Sequence, residues 1–148
     1  MSMEIHVCWQ GELAADKAKL KTALGSLGFD ATVLYDFSEA DAFWPIDLAG
    51  LKTGVEIYLD EDLTSIREDY PVLAAALEAR DRMATFRFGG NAAEAGTALA
   101  MSAALTKLGD AIIYDPQSEE FMSADEAVKE AQAFFEEAVK TGAQQREE

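Results

Sequence analysis

The sequence predicts an α+β fold, with a ferredoxin-like βαββαβ sandwich as its core, followed by a helix, a β-hairpin and a C-terminal amphipathic helix. Two observations support this fold class. Short runs of alternating apolar residues, typical of half-buried strands, recur along the chain, and stretches of helical periodicity lie between them. The resulting order is β-α-β, a connection, and β-α-β, the order of a split βαβ sandwich with two helices on one face of an antiparallel sheet.

The first βαβ unit covers the amino-terminal third of the chain. Residues 3–9 alternate in polarity and predict a strand, and apolar residues with helical spacing from Leu13 predict a helix that stops at Gly28. A second strand is predicted at 31–37. The segment 38–54 has no sustained period and contains a Trp-Pro pair, so it is interpreted as a long connection.

The second unit begins with a strand at 55–59 and ends with a strand at 83–88. Between them an amphipathic helix carries apolar residues from Ile66 to Leu77 on one stripe. Pro71 falls inside this stripe, and an interior proline costs a helix roughly 3 kcal/mol. The helix therefore either begins near Pro71 after an irregular turn or is kinked there.

The remaining elements complete one domain over residues 1–140, and the polar tail 141–148 is expected to be frayed. An alanine-rich helix is predicted at 92–108, followed by a strand at 111–114 and a turn at 115–118. A short strand at 121–122 precedes the last helix, which a Ser-Ala-Asp-Glu capping box opens at Ser123.

Composition narrows the class of protein and of partner. The chain has 148 residues, of which 28 are acidic and 12 basic, giving a formal net charge of −16. Such a field repels nucleic acid and anionic membranes and favours basic partners, although an acidic surface also serves solubility alone. The single cysteine, Cys8, excludes an internal disulfide. The sequence shows neither a signal peptide nor an apolar run of about 18 residues, so a cytoplasmic location is predicted.

The segment FRFGGN at 86–91 resembles a place where a strand meets a helix and holds an anion. Backbone N–H groups of Gly89, Gly90 and Asn91 at the helix N-terminus, together with Arg87, would bind it. The segment lacks both the dinucleotide and the P-loop fingerprint. A structural interpretation uses the same residues, with Asn91 as the N-cap and Glu94 three residues later.

A second candidate is the strand face that carries His6 and Cys8. A strand repeat of two places both side chains on one face, and carboxylates such as Glu4 or Asp36 would have to complete the site of a small enzyme or a ligand-binding protein. The alternative is that Cys8 is a small core residue. We predict no catalytic residue, no metal site and no cofactor, because the chain has one histidine and its acidic turns do not match a calcium loop.

The third candidate is an acidic surface with aromatic anchors. Eight carboxylates and only one lysine, Lys52, lie between Asp36 and Asp62. Interfaces combine aromatic centres with charged surrounds. The alternative is structural: the acidic residues lie in solvated loops, Asp60 or Asp62 caps a helix, and Trp44 belongs to the core. The predicted partner-binding residues are Asp41, Phe43, Trp44, Asp47, Tyr58, Asp60, Glu61 and Asp62.

The second half of the chain resembles small bacterial α+β proteins, some of which are associated with toxin–immunity systems. The resemblance runs from MATFRF at 83–88, through a small-residue helix, to LGDAIIYDPQS at 108–118 and FMS at 121–123. It implies a cytoplasmic protein that neutralises a toxin by covering the active surface, and it identifies no functional residue.

These observations together predict an acidic, non-enzymatic protein-binding module, an immunity or adaptor protein that masks a basic protein partner. The alternative is a small enzyme or ligand-binding protein that uses the face of His6, Cys8 and Asp36 or the Gly89-Gly90 loop. A third hypothesis is self-association through a sheet edge or the stripe of Phe134 and Phe135. The chain is accordingly predicted to be a monomer or a homodimer.

Overall fold

A computed structural model describes residues 2–13 and 15–141, and within them the chain forms a seven-stranded sheet with five α-helices. The strands are β1 (Met3–Trp9), β2 (Ala31–Val33), β3 (Ala42–Leu48), β4 (Leu51–Asp60), β5 (Arg82–Phe88), β6 (Ile112–Asp115) and β7 (Glu120–Met122). The helices are α1 (Lys17–Ser26), α2 (Thr64–Asp69), α3 (Pro71–Leu77), α4 (Ala92–Leu108) and α5 (Ala124–Thr141). The α+β class is confirmed.

The arrangement of the sheet is not ferredoxin-like. The strand order is β2-β3-β4-β5-β1-β6-β7, and every neighbouring pair is antiparallel. The difference arises in the segment 38–54, which was predicted as a connection. It instead forms β3 and the start of β4, joined by a tight turn at Ala49 and Gly50. The hairpin adds one strand, β3, to the predicted sheet and extends the predicted strand at 55–59 into β4, which pairs with β5 and not with β1.

One face of the sheet, here called the front face, is covered by α1, α4 and α5. The side chains of Ile5 and Val7 on β1, Ile57 on β4 and Phe86 on β5 point to this side and are at most 5% exposed. Helix α4 lies against β4 and between α1 and α5. The alanine residues of α4 are small enough to allow close approach on several sides of the helix, which explains why most of it is buried.

Helix α5 packs on α4 through a contact at Gly96. The ring of Phe135 lies so close to Gly96 that a Cβ atom at position 96 would stand 2.7 Å from Cε1 of the ring. Glycine therefore permits the close approach of the two helices. The amphipathic stripe predicted for the last helix is confirmed, with Ala127, Ala131, Phe135 and Ala138 buried.

The opposite face, here called the back face, is covered only in part. Helices α2 and α3 pack over β5, β1 and β6 and form a small second core with the back-face side chains Cys8, Met83 and Tyr114. Pro71 is the first residue of α3, and α2 ends at Asp69. The predicted single helix is thus two short helices, because a proline at the first position of a helix needs no N–H partner.

Several predicted helix ends are confirmed by hydrogen bonds. The side chain of Asn91 accepts the N–H of Glu94 at 3.2 Å and begins α4. Ser123 and Glu126 exchange two bonds of 3.2 and 3.1 Å at the start of α5. The predicted tail lies outside the described residues from position 142 onward. Each described helix is too short or too polar to cross a membrane.

Candidate functional site

The back face of β3 and β4 carries exposed and half-buried side chains where no helix packs. Strand pairing places Phe43 opposite Glu56, and Glu56 opposite Arg87 on β5. Tyr58 follows two residues after Glu56 and therefore points to the same side. Phe43 is 46% exposed, whereas Val55 and Ile57, which point to the front face, are fully buried. We call this surface of Phe43, Pro45, Glu56, Tyr58 and Arg87 the open face.

Phe43 is held in place by the backbone beneath it. A Cβ atom at Gly54 would stand 2.5 Å from Cζ of Phe43 and 2.7 Å from the carbonyl oxygen of Trp44. The absence of a side chain at Gly54 therefore leaves the space in which the phenyl ring rests on β4. A ring supported in this way presents an apolar surface in one fixed position.

The polar groups of the open face form a short network. The hydroxyl of Tyr58 donates to Oε1 of Glu56 at 2.6 Å, and this bond raises the pKa of the Tyr58 hydroxyl. Arg87 lies between Glu56 and Glu4 in the strand register, and its Nη2 donates to the Ser2 hydroxyl at 3.2 Å. Arg87 has no carboxylate within 4.0 Å among the described residues, so its charge remains available.

The predicted acidic and aromatic residues do not all lie on one surface. Asp41, Phe43, Tyr58, Asp60 and Glu61 lie on the open face or at its end, where β3 begins and β4 ends. Their proximity is reflected in the charge of Asp41, which contributes to the raised pKa of the Tyr58 hydroxyl. These five residues could act together on one partner.

The other three residues have different positions. Trp44 is 2% exposed and lies in the front-face core, so it cannot be the exposed anchor that was predicted. Asp47 is six residues from Asp41 along β3, about 20 Å away at the usual rise of a strand. The carboxylate of Asp62 accepts hydrogen bonds from the hydroxyl of Thr64 at 2.7 Å and from the N–H of Thr64 at 3.0 Å. These two bonds lower the pKa of the Asp62 carboxyl. The N-cap residue of α2 is Leu63, which makes no side-chain cap bond, so Asp62 forms a turn just before the helix and not the predicted cap.

In the predicted anion loop, the side chain of Arg87 and helix α4 lie on opposite faces of the sheet. Arg87 points to the back face, whereas Phe86 and Phe88 beside it join the front-face core on which α4 packs. Burial, and secondarily the charge of Glu56, raise the pKa of Glu94 in the first turn of α4. Anion binding by Arg87, Gly89, Gly90 and Asn91 stays a prediction.

His6 is buried on the back face with one nitrogen unpaired. Its Nδ1 lies 2.9 Å from the Thr85 hydroxyl, and its ring centroid lies 5.2 Å from that of Tyr70. Nε2 has no hydrogen-bond partner among the described residues and lies 3.7 Å from Oε1 of Glu4. Burial lowers the pKa of His6, and the nearby charges of Glu4 and Asp60 oppose this effect only in part.

The alternative site of His6, Cys8 and Asp36 is not assembled. Cys8 is fully buried under α2 and α3, and burial raises the pKa of its thiol to about 12, which keeps it protonated and unreactive. Asp36 lies apart from both, since its carboxylate accepts the N–H of Lys17 at 2.9 Å before α1. Among the described residues, no three His, Cys, Asp or Glu side chains form a group that could hold a metal ion.

The stability of the fold should depend on pH through His6. Its pKa is lowered in the folded protein, so the unfolded chain binds the proton more readily below its ordinary pKa of 6.5. We expect the free energy of unfolding, measured with urea, to fall as the pH is lowered from about 7.5 to about 5.5. The pKa values of Glu94 and Glu130 are raised in the folded protein, which therefore binds their protons more readily than the unfolded chain does. These two groups raise the free energy of unfolding as the pH is lowered and so oppose the effect of His6.

The control for this prediction is His6→Asn. An asparagine side chain retains a polar atom near the position of Nδ1 for Thr85 and lacks the titrating ring. His6 is the single histidine of the chain, so the variant should lose the slope in this pH range. An unchanged slope would show that His6 is not the group responsible.

Glu56 and Arg87 belong to the open face but are not among the partner-binding residues that the sequence predicts. A signal for Glu56 was present, because the apolar residues Val55, Ile57 and Leu59 alternate with Glu56 and Tyr58. No comparable signal relates Arg87 to Glu56, since they meet through the pairing of β4 and β5.

Comparisons of the chain with protein-family models, curated proteins and solved structures find no match.

Proposed function

We propose that the chain is an acidic protein-binding module, an immunity or adaptor protein, that covers a basic surface of a partner protein with its open face. The single observation that supports this most is the unequal covering of the sheet. Three helices pack on the front face, while the back face of β3 and β4 presents Phe43 at 46% exposure. A supported aromatic side chain on an open sheet is suited to be an interface anchor.

The charges around the open face favour a basic partner. Asp41, Asp60 and Glu61 are exposed at the end where β3 begins, and Glu56 lies beside Phe43. Arg87 is the basic residue within the surface. The whole chain carries a net charge of −16, so the long-range field and the local charges act in the same direction. Complementary charge of this kind accelerates encounter and selects against acidic partners.

The rigidity of Phe43 supports the same proposal. Because Gly54 lets the ring rest on β4, little side-chain freedom remains to be lost when a partner covers it. Tyr58 is held by its bond of 2.6 Å to Glu56 and is the second anchor. The association with immunity systems comes from the resemblance of the second half of the chain.

The proposal is tested by capture of the partner from an extract of the source organism at low salt. Three immobilised baits are compared: the parent, Phe43→Ser/Tyr58→Ser, and Phe121→Ser. Phe121 is a matched control, because it is an aromatic residue on the same sheet with 41% exposure. The parent and the control should capture the same basic protein. The double variant should capture it about thirtyfold less tightly, as expected for loss of anchors worth about 2 kcal/mol.

Salt provides an independent check of the same complex. Raising the ionic strength screens surface charges, so the recovered protein should dissociate more readily at higher salt. Equal capture by the double variant and the parent would contradict the proposal. Capture of an acidic protein with no salt dependence would also contradict it.

A further inference from the structure

A cavity of about 480 Å³ lies at the end of the sheet where β1 and β4 finish and β5 begins. The apolar part of its lining includes Trp9 and Phe37 from the front-face core, and the polar part includes Glu12, Asp60 and Arg82. Its volume is within the range of about 300 to 1,000 Å³ typical of ligand sites. It is therefore large enough to hold an extended side chain.

The polar lining is strongly acidic. Among the described residues, five carboxylates and one guanidinium line the cavity, which leaves a formal charge of −4. The single cation, Arg82, is already beside acidic groups, with Nη1 3.4 Å from Oδ2 of Asp81 and Nε 4.0 Å from Oε1 of Glu61. Asp16 and Asp36 accept backbone N–H groups of α1 at 2.9 Å.

Two of the carboxylates remain without partners. Within residues 2–13 and 15–141, the side chains of Glu12 and Asp60 accept no hydrogen bond and form no ion pair within 4.0 Å. Both residues are exposed, so a cation can approach them from outside. The cavity thus combines apolar walls with available negative charge at its rim.

We propose that this cavity receives an arginine or lysine side chain of the partner protein. The inference rests on the proposed function, because Asp60 follows Tyr58 by two residues and joins the cavity to the end of the open face. A partner that covers Phe43 and Tyr58 would then reach the cavity with a neighbouring residue. The methylene stem would pack on the apolar lining and the charged end would meet Glu12 and Asp60.

The first experiment uses N-acetyl-arginine amide as the probe and N-acetyl-citrulline amide as its neutral counterpart. These two compounds have nearly the same shape and differ in the charge of the side chain. The indole N–H resonance of Trp9, which lines the cavity, is followed by NMR. The arginine compound should shift the Trp9 resonance in a saturable manner, and the citrulline compound should not.

The variant Glu12→Gln/Asp60→Asn should bind the arginine probe about tenfold more weakly. The control Glu136→Gln/Glu137→Gln makes the same change of charge at exposed positions on α5. It should bind the probe like the parent. Equal binding by both double variants, or no saturable shift of the Trp9 resonance, would overturn the inference.

The capture experiment separates this inference from the proposed function. A bait carrying Glu12→Gln/Asp60→Asn keeps Phe43 and Tyr58, and it should recover the partner about tenfold less tightly than the parent. Recovery at the parental level would show that the cavity is not used by the partner and would overturn the inference alone. The proposed function fails on a different result, equal capture by Phe43→Ser/Tyr58→Ser and the parent.

Discussion

Replacing Trp44 with alanine is expected to lower the free energy of unfolding by about 3 to 5 kcal/mol, a large fraction of the stability of an ordinary domain. Trp44 is 2% exposed, and its ring meets that of Phe37 edge to face with 6.4 Å between the centroids. Its indole N–H donates to the carbonyl of Asp36 at 3.4 Å. Alanine would leave a cavity and remove the donor. Urea unfolding followed by circular dichroism measures the loss.

The neighbouring residue provides the control for this prediction. Phe43 is 46% exposed, so Phe43→Ala removes only part of the burial of a phenyl ring and should cost about 1 kcal/mol. The two variants should also differ in function, because Phe43 belongs to the open face and Trp44 does not. Similar losses of stability in the two variants would contradict the assignment of Trp44 to the core and Phe43 to the surface.

The elements with a long and regular period could be predicted from the sequence. The alanine-rich helix has the predicted bounds of 92–108, and the first strand has the predicted bounds of 3–9. The hairpin of β3 and β4 could not be predicted, because Pro45 and the turn at Gly50 interrupt its alternation of apolar and polar residues. Pro45 lies one residue beyond the last pair of β2 with β3, Ile46 with Val33. A proline is tolerated at such an unpaired strand edge.

Strand order is a further property that local periodicity does not contain. β1 pairs with β5, and the two strands are more than 70 residues apart in sequence, as the pairing of His6 with Thr85 over 79 positions illustrates. Each strand needs only an apolar side toward the helices, and several orders satisfy this condition. The sequence pattern therefore predicted the class of fold and not the neighbours of each strand.

The composition of the candidate site could be predicted better than its geometry. The excess of carboxylates between Asp36 and Asp62 is visible in the sequence, and so are Phe43 and Trp44. Which of the two aromatic residues faces solvent depends on the register of β3, since a shift of one residue exchanges the two faces of a strand. The register is set by the pairing of Phe43 with Glu56 and of Trp44 with Val55.

Replacing Gly54 with alanine is the second change expected to have a large effect. A Cβ atom there would stand 2.5 Å from Cζ of Phe43 and 2.7 Å from the carbonyl oxygen of Trp44. The ring can swing away, but the carbonyl belongs to the backbone of β3 and cannot move without disturbing its pairing with β4. We expect a loss of about 1 to 3 kcal/mol in urea unfolding, the usual cost of overpacking. Capture of the partner should weaken as well, because Phe43 loses its support.

Two further variants distinguish the contributions to this loss. Gly90→Ala is the matched control, since a Cβ atom at Gly90 meets nothing within 4 Å, and it should leave the stability nearly unchanged. In Phe43→Ala/Gly54→Ala the clash with the ring is absent and the clash with the Trp44 carbonyl remains. The double variant should therefore be more stable than the sum of the two single losses predicts, yet less stable than Phe43→Ala. Strict additivity would show that Phe43 does not rest on Gly54, and the anchor would then lack the support on which its role in binding depends.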